Sequence, residues 1–251
     1  MKRQEEMKII RSFEIALDTV EMVLQNQYIS QTAEAGQFLH ISVDHHMLRR
    51  PISIADINKK EETITILFKI VGSGTRHLAK YKPGMKINAL GPSGNGFTTE
   101  LEPGSTALLL GGGIGVPPLY YLGKTLRAKN VNVISILGFQ SEAYVFYEDQ
   151  FNDLGNNFIV TDDGSYGEEG FVTDVLNKIG VFDCYYSVGP VPMLQSITAK
   201  LKGKQGYISL EERMGCGVGT CLACVIPTAN QDGYKKICKD GPVFHAQEVS
   251  L

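Results

Sequence analysis

The chain has 251 residues, 43% hydrophobic and 20% charged, which is enough apolar material for a substantial core and unlike a disordered chain. At about 100–200 residues per domain, this is one large domain or two to three small ones. The 24 basic and 27 acidic side chains leave a net charge of −3 with no basic cluster, which argues against nucleic-acid binding. The longest apolar stretches, such as 106–110 and 131–137, fall far short of the ~20 residues that span a bilayer. The opening Met1-Lys2-Arg3-Gln4-Glu5-Glu6 lacks the apolar region and cleavage site of a secretory signal, so a cytoplasmic protein is expected.

Residues 9–16, 20–24, 38–43, 52–57, 63–71 and 86–89 are short apolar or alternating runs rich in Ile and Val, punctuated by Gly, Pro, Asn and Asp. This rhythm predicts a small antiparallel β-barrel. The breaker cluster Gly91-Pro92-Ser93-Gly94-Asn95-Gly96 is expected to close it, with a domain boundary near residue 100.

From Ser105 the rhythm becomes strand, turn, helix. Strands are expected at 106–110, 131–137, 157–161 and 183–188, and a tight glycine turn at 111–115. Helices are expected at 116–128, with Pro117-Pro118 in the first turn, and at 143–154, 172–179 and 191–201. Such alternation predicts an α/β domain with a doubly wound parallel sheet over 101–207. A few residues around Ile208 and Ser209 then bridge to a small segment, 208–251.

Four of the five cysteines fall in that segment, and the spacing of Cys216, Cys221, Cys224 and Cys238 is C-x4-C-x2-C-x13-C. A reducing cytosol disfavours structural disulfides, so a metal site is the default reading. Four thiolates hold either a tetrahedral zinc or an iron–sulfur cluster. The x4-then-x2 loop is the spacing of plant-type [2Fe–2S] centres, and Gly215, Gly217 and Gly219 let backbone amides approach cluster sulfurs. The fifth, Cys184, lies in a predicted strand and reads as a core residue.

Gly111-Gly112-Gly113-Ile114-Gly115 follows a strand and opens a helix, so a pyrophosphate could approach its amide groups closely. The spacing departs from G-x-G-x-x-G, and tight strand–helix turns use glycine for packing as well. Gly189-Pro190 and the stretch containing Asp162 end later parallel strands, at the edge where such sheets bind ligands. Together they outline a nicotinamide-nucleotide cleft.

In the barrel, Arg50-Pro51-Ile52-Ser53 begins a strand, and Gly72-Ser73-Gly74-Thr75 is expected to end one. Taken singly, Arg50 reads as a solvated charge and the Gly-Ser-Gly turn as a hairpin loop. In combination they offer a guanidinium, hydroxyls and exposed amides for a diphosphate.

A barrel with R-x-x-S, a nucleotide domain with Gly-Gly-Gly-x-Gly-x-x-Pro and a terminal four-cysteine segment resemble the ferredoxin-NADP⁺ reductase superfamily. Glu-Arg-Met-Gly-Cys-Gly-x-Gly before the second cysteine and Asp240-Gly241-Pro242-Val243-Phe244 after the fourth narrow the likeness. Within that superfamily, the chain resembles the electron-transfer subunits of class 1B dihydroorotate dehydrogenases. The resemblance implies FAD on Arg50, Pro51, Ile52, Ser53, Leu67, Phe68, Lys69, Gly74 and Thr75. It implies NAD on Gly111, Gly112, Gly113, Gly115, Asp162, Gly189 and Pro190, and a [2Fe–2S] cluster on Cys216, Cys221, Cys224 and Cys238. Ile52 stands where the wider superfamily commonly has Tyr. No Arg or Lys follows strand 131–137 in Gly138-Phe139-Gln140-Ser141, which favours NADH over NADPH.

The implied path runs from dihydroorotate to FMN on a partner catalytic subunit, then through [2Fe–2S] and FAD to NAD⁺, in a heterotetramer of two plus two chains. FAD must stand between, since it exchanges both single electrons and hydride. No general-base constellation is present, and His40, His45, His46, His77 and His245 are scattered, so no catalytic acid–base residue is expected. Two rival readings remain. One is the electron-transfer subunit of an NADH-dependent ferredoxin:NADP⁺ oxidoreductase, sulfide dehydrogenase or sulfhydrogenase. The other, outside enzymology, is a zinc-bearing nucleotide-sensing module.

Overall fold

The computed structural model describes residues 2–230 and 232–251, so Met1 of the opening hexapeptide lies outside it. Strands β1 (Arg3–Ala16), β2 (Thr19–Gln25), β3 (Phe38–Ile41), β4 (Arg50–Asn58), β5 (Thr63–Lys69) and β6 (Lys86–Ser93) close into an antiparallel barrel ordered β1-β2-β5-β4-β3-β6. Alternation explains the closure: Met7 and Ile9 on β1, Met22 and Leu24 on β2, and Ile64 and Ile66 on β5 share one interior core. Two short helices, α1 (Gln27–Thr32) and α2 (Ser73–Leu78), interrupt the strands. Asn26 starts α1 by accepting from the amide of Ile29 at 2.8 Å.

Two local expectations are corrected here. Gly72-Ser73-Gly74-Thr75 opens α2 rather than ending a strand, because the Thr75 hydroxyl accepts from the amides of Val71 and Gly72 and folds the chain into a turn. The Gly91-Pro92-Ser93 breakers do not stop β6, which runs through them and pairs Gly91 with Arg3 and Ser93 with Phe38.

The second sheet has seven strands. β7 (Thr106–Gly112), β8 (Asn132–Phe139), β9 (Gly155–Thr161), β10 (Glu168–Glu169), β11 (Cys184–Val188) and β12 (Gly206–Ser209) are parallel in the order β10-β9-β8-β7-β11-β12. Helices α3 (Val116–Ala128), α4 (Glu148–Asn152) and α5 (Val191–Lys200) belong to this layer. The expected helix 143–154 is only α4, preceded by a 3₁₀ turn at Glu142–Tyr144, because Tyr147 takes a left-handed φ of +65°. The expected helix 172–179 is absent. There Asp174 accepts from the Phe171 amide at 2.9 Å, a local bond that competes with helix, and separate turns follow. Ile208 and Ser209, expected to bridge, are the end of β12 inside the sheet.

The cysteine segment carries the hairpin β13 (Val225–Pro227) and β14 (Tyr234–Lys236), the one-turn helix α6 (Ile237–Asp240), and β15 (Val243–His245). β15 returns antiparallel to β12, so the segment completes the sheet edge. Cys224, Ile237, Cys238 and Phe244 share a core with Leu108, Tyr185 and Leu194 of the α/β layer. On the other face of the sheet, Leu109 and Val116 pack with Ala55 and Leu67 of the barrel. Lys124 of α3 meets Asp56 of β4 at 2.7 Å across that contact.

Candidate functional site

A cavity of about 660 Å³ opens at the carboxyl ends of β7, β8, β9, β11 and β12, the edge at which open parallel sheets bind ligands. Gly112, Gly113, Gly115, Asp162, Gly189 and Pro190 line it, as does Lys69 from the barrel. Gly111 does not. It lies within β7 between Leu137 and Val188, where any Cβ would press on Val116. Gly115 is fixed by close approach, since a Cβ there would run into the Val188 carbonyl and hold α3 off the strand end.

Thr19 and Lys69, register partners on β2 and β5, close the cavity from the barrel side. The Lys69 ammonium stands 4.2 Å over the Tyr144 ring. Tyr144 and Glu211 also line the cavity, and the sequence reading missed both. Tyr144 sits on the 3₁₀ turn hidden by the helix expectation, and Glu211 becomes visible only once β12 is recognised. The Ser53 hydroxyl donates to Glu211 Oε1 at 3.4 Å, joining β4 to the end of β12. Glu211 is an exposed residue on the cavity wall. Burial pushes its carboxyl up to about 7, with the Ser53 bond opposing that rise.

Arg50, Pro51, Ile52 and Ser53 open β4 as one unit. The Arg50 guanidinium packs directly on Gly74 in the first turn of α2, so a side chain at Gly74 would displace it. Thr75 stands one residue further, its hydroxyl bonded within the turn. A guanidinium laid over a glycine in the first helical turn fits a flavin diphosphate. Ile52, Leu67 and Phe68 differ from the other expected residues, because their side chains are committed to packed cores.

The four cysteines of the C-terminal segment stand in two pairs. Cys216 and Cys221 are cross-linked by amide-to-sulfur bonds, Cys216 N to Cys221 Sγ and Cys221 N to Cys216 Sγ, both 3.4 Å. The Val218 amide adds a third at 3.4 Å, made possible by left-handed Gly217 and Gly219 with φ of +69° and +82°. Burial works against the Cys216 thiolate, but the Thr220 hydroxyl and these amides outweigh it and bring the thiol down to about 5. Cys224 and Cys238 are buried, tied together by Ile237 N donating to Cys224 O at 2.8 Å. Among the described residues no three His, Cys, Asp or Glu side chains converge on one ion. Two thiolate pairs with amide donors aimed at sulfur fit a two-iron cluster.

Two basic residues flank this loop. The Lys2 ammonium donates to Gly217 O at 3.2 Å and Cys238 O at 2.9 Å. His40 of β3 is fully buried with both ring nitrogens unpaired, and Gly217 presses on its Nδ1 side. Burial first, then the Arg49 guanidinium, lower the imidazole to about 4, so the ring is neutral. Nothing in the residues around His40 marks this burial.

A flavin-type barrel, a nucleotide cleft at a parallel sheet edge and a four-cysteine loop define an iron–sulfur flavoprotein reductase of the ferredoxin-NADP⁺ reductase type. Residues 211–250 match the family described as the iron-sulfur cluster binding domain of dihydroorotate dehydrogenase B. The dihydroorotate dehydrogenase B (NAD(+)) electron transfer subunit of Shouchella clausii is 49% identical over 100% of this chain and 99% of its own length. The chain belongs to the family of dihydroorotate dehydrogenase B electron transfer subunits, an oxidoreductase component. A solved NADH-dependent reduced ferredoxin-NADP oxidoreductase superposes with a TM-score of 0.89 at 31% identity, covering 97% of this chain and 89% of that one. A ferredoxin NADP⁺ reductase from Neisseria gonorrhoeae with bound FAD and NADP shares the fold, with TM-score 0.68, 17% identity and coverage of 84% and 94%. No helix among the described residues is long and apolar enough to cross a membrane.

Proposed function

We propose that this chain carries electrons released by dihydroorotate oxidation on an FMN-containing partner subunit to NAD⁺, in de novo pyrimidine synthesis in the cytoplasm. When bound, the [2Fe–2S] cluster exchanges single electrons, FAD exchanges one or two, and NAD⁺ accepts hydride. Cys216, Cys221, Cys224 and Cys238 hold the cluster. Arg50, Ser53 and Thr75 bind FAD with their side chains and Gly74 with its backbone, and Lys69 lies beside it. The backbones of Pro51, Ile52, Leu67 and Phe68 shape its slot. Gly112, Gly113, Gly115, Asp162, Gly189 and Pro190 receive the nicotinamide nucleotide, while Gly111 lets the turn pack. The parts divide as 1–100 for FAD, 101 to the end of β12 at Ser209 for NAD and the segment after it for the cluster, and two such chains assemble with two catalytic chains.

The observation that carries this reading is the Ser53–Glu211 contact. It brings the start of the barrel's Arg-Pro-Ile-Ser strand to the mouth of the nucleotide cavity, so a flavin on the first faces a nicotinamide in the second. Two-electron transfer needs that contact, because hydride moves only between touching groups. The 49% full-length relatives favour dihydroorotate as the source over the oxidoreductase that is 31% identical.

The test is reconstitution. The isolated chain should oxidise NADH with an artificial acceptor and leave dihydroorotate untouched. Added FMN-containing catalytic subunit should confer dihydroorotate-dependent NAD⁺ reduction. A chain that neither oxidises NADH nor joins such a partner contradicts the proposal.

A further inference from the structure

The ligand loop is held by two ammonium groups from different parts of the chain. Lys2, ahead of β1, bonds the carbonyls of Gly217 and Cys238, which ties the Cys216 side of the loop to the fourth ligand. Lys236, at the end of β14, donates to Gly219 O at 2.8 Å. Gly217 and Gly219 are the two left-handed residues that wrap the loop, so the lysines grip it at its turning points.

Neither ammonium has a carboxylate partner among the described residues. Lys235, the neighbour of Lys236, is paired instead, with Glu248 at 2.8 Å. The nearby Asp240 carboxylate is engaged by the backbone amide of Lys236 at 2.7 Å rather than by its ammonium. Both lysine residues are partly buried. A cation taken partly out of water and given only carbonyl oxygens leaves its charge uncompensated by protein. The opposite charge is supplied by the group the loop is built to carry. Four thiolates, two ferric ions and two sulfides sum to −2, and uptake of one electron makes it −3.

We propose that Lys2 and Lys236 are positioning residues that raise the reduction potential of the cluster by placing two uncompensated cations at its loop. This rests on the reading of the four cysteines as [2Fe–2S] ligands. A cation nearby favours the state with one more negative charge, and low local dielectric strengthens the effect. The lysines touch carbonyls of the loop, not the reacting atoms. Their role is to set how readily the cluster takes its electron from the partner and how readily it gives it up to FAD.

The experiment is an EPR-monitored redox titration of the assembled complex carrying Lys2→Met, Lys236→Met, Lys2→Arg or Lys236→Arg. Iron and FAD content are measured on each sample. The proposal expects both Met variants to lower the cluster midpoint, the double variant to lower it further, and both Arg variants to stay near wild type. Met variants with full iron content and unshifted midpoints overturn it. So does an Arg variant that shifts as far as its Met counterpart, since geometry rather than charge is then responsible. If a Met variant loses its cluster, the Arg variants and the salt dependence of the wild-type midpoint decide. An unchanged midpoint from low to high ionic strength, together with shifted Arg variants, overturns the charge account. A wild-type complex with no reducible [2Fe–2S] signal at all instead removes the cysteine reading itself, and the proposal with it.

Discussion

The Tyr147 hydroxyl donates to Glu21 Oε2 at 2.7 Å, and both residues are buried where the barrel meets the parallel sheet. Tyr147 is held there in the left-handed region at φ +65°, a conformation that costs a bulky residue about 1–3 kcal/mol. The neighbouring Leu17 amide donates to Ala143 O at 2.9 Å, so the barrel's first hairpin is fastened to the segment carrying Tyr144. The bond therefore supports the cavity wall as well as the interface.

Tyr147→Phe keeps the ring and removes the donor, leaving Glu21 with Arg11 at 3.2 Å as its remaining partner. The expected loss is about 1–3 kcal/mol of stability, the cost of a buried acceptor losing its donor. Chemical denaturation at constant FAD occupancy measures it. A change within about 0.5 kcal/mol, the ordinary effect of a surface substitution, contradicts the role.

Gly115 and Gly112 separate contact with backbone from contact with a side chain. A methyl group at Gly115 meets the Val188 carbonyl, which cannot move without disturbing β11, whereas one at Gly112 meets the flexible end of Met193. Gly115→Ala should lower Tm and abolish NADH binding. Gly112→Ala should fold normally and weaken NADH binding to a smaller degree. Equal stability of the two variants would contradict this reading of the turn.

Gly74→Ala should leave the barrel folded, because the atoms it displaces belong to the movable Arg50 guanidinium. The loss falls on FAD. One charge-assisted hydrogen bond misplaced by about 1.4 kcal/mol weakens flavin binding about tenfold. Flavin retention on dialysis and fluorescence titration of the stripped protein report it, and unchanged affinity counts against Arg50 as a diphosphate ligand.

Glu211 gives the protein a pH signature. Its carboxyl is raised by burial to about 7 in the folded state, against about 4.3 in an unfolded chain. Between these values the folded state binds more protons, so the Glu211 contribution to stability falls as pH rises and levels off above about 7. Below about 4 both states are protonated and the effect vanishes. Glu211→Gln should flatten the decline between pH 5 and 7 in melting curves of the FAD-free chain. A wild-type profile rising through that window, or an unchanged slope in the variant, contradicts the shift.

Much of this architecture was legible because local pattern and tertiary role agree. Helix α3 matches its expected span, since an apolar strand, glycines and two prolines in the first turn mark its start unambiguously. The cysteine spacing pointed equally directly to an iron–sulfur segment, which the family match over 211–250 bears out. The helix at 143–154 was overcalled because a long-range polar bond decides the backbone, Tyr147 being bent by Glu21 of the barrel, 126 residues away, whereas 172–179 lost its helix to the local Asp174–Phe171 bond. β12 and β15 were missed because each is short and takes its place only through long-range pairing, β12 between β11 and β15, and β15 on the far side of β12. Missing β12 hid Glu211, and missing the 3₁₀ turn hid Tyr144. Ile52, Leu67 and Phe68 were expected at the flavin, but the alternation of their strands turns those side chains into packed cores, which becomes visible only once the barrel is closed.

The most direct test of the whole account is an anaerobic visible spectrum of the purified chain before and after one equivalent of NADH. The account predicts flavin absorption with iron–sulfur shoulders that bleach together on addition, since the nucleotide cavity, the Arg50 strand and the cysteine loop form one connected body. A colourless protein containing stoichiometric zinc, or a flavin and cluster that NADH leaves fully oxidised, would contradict it.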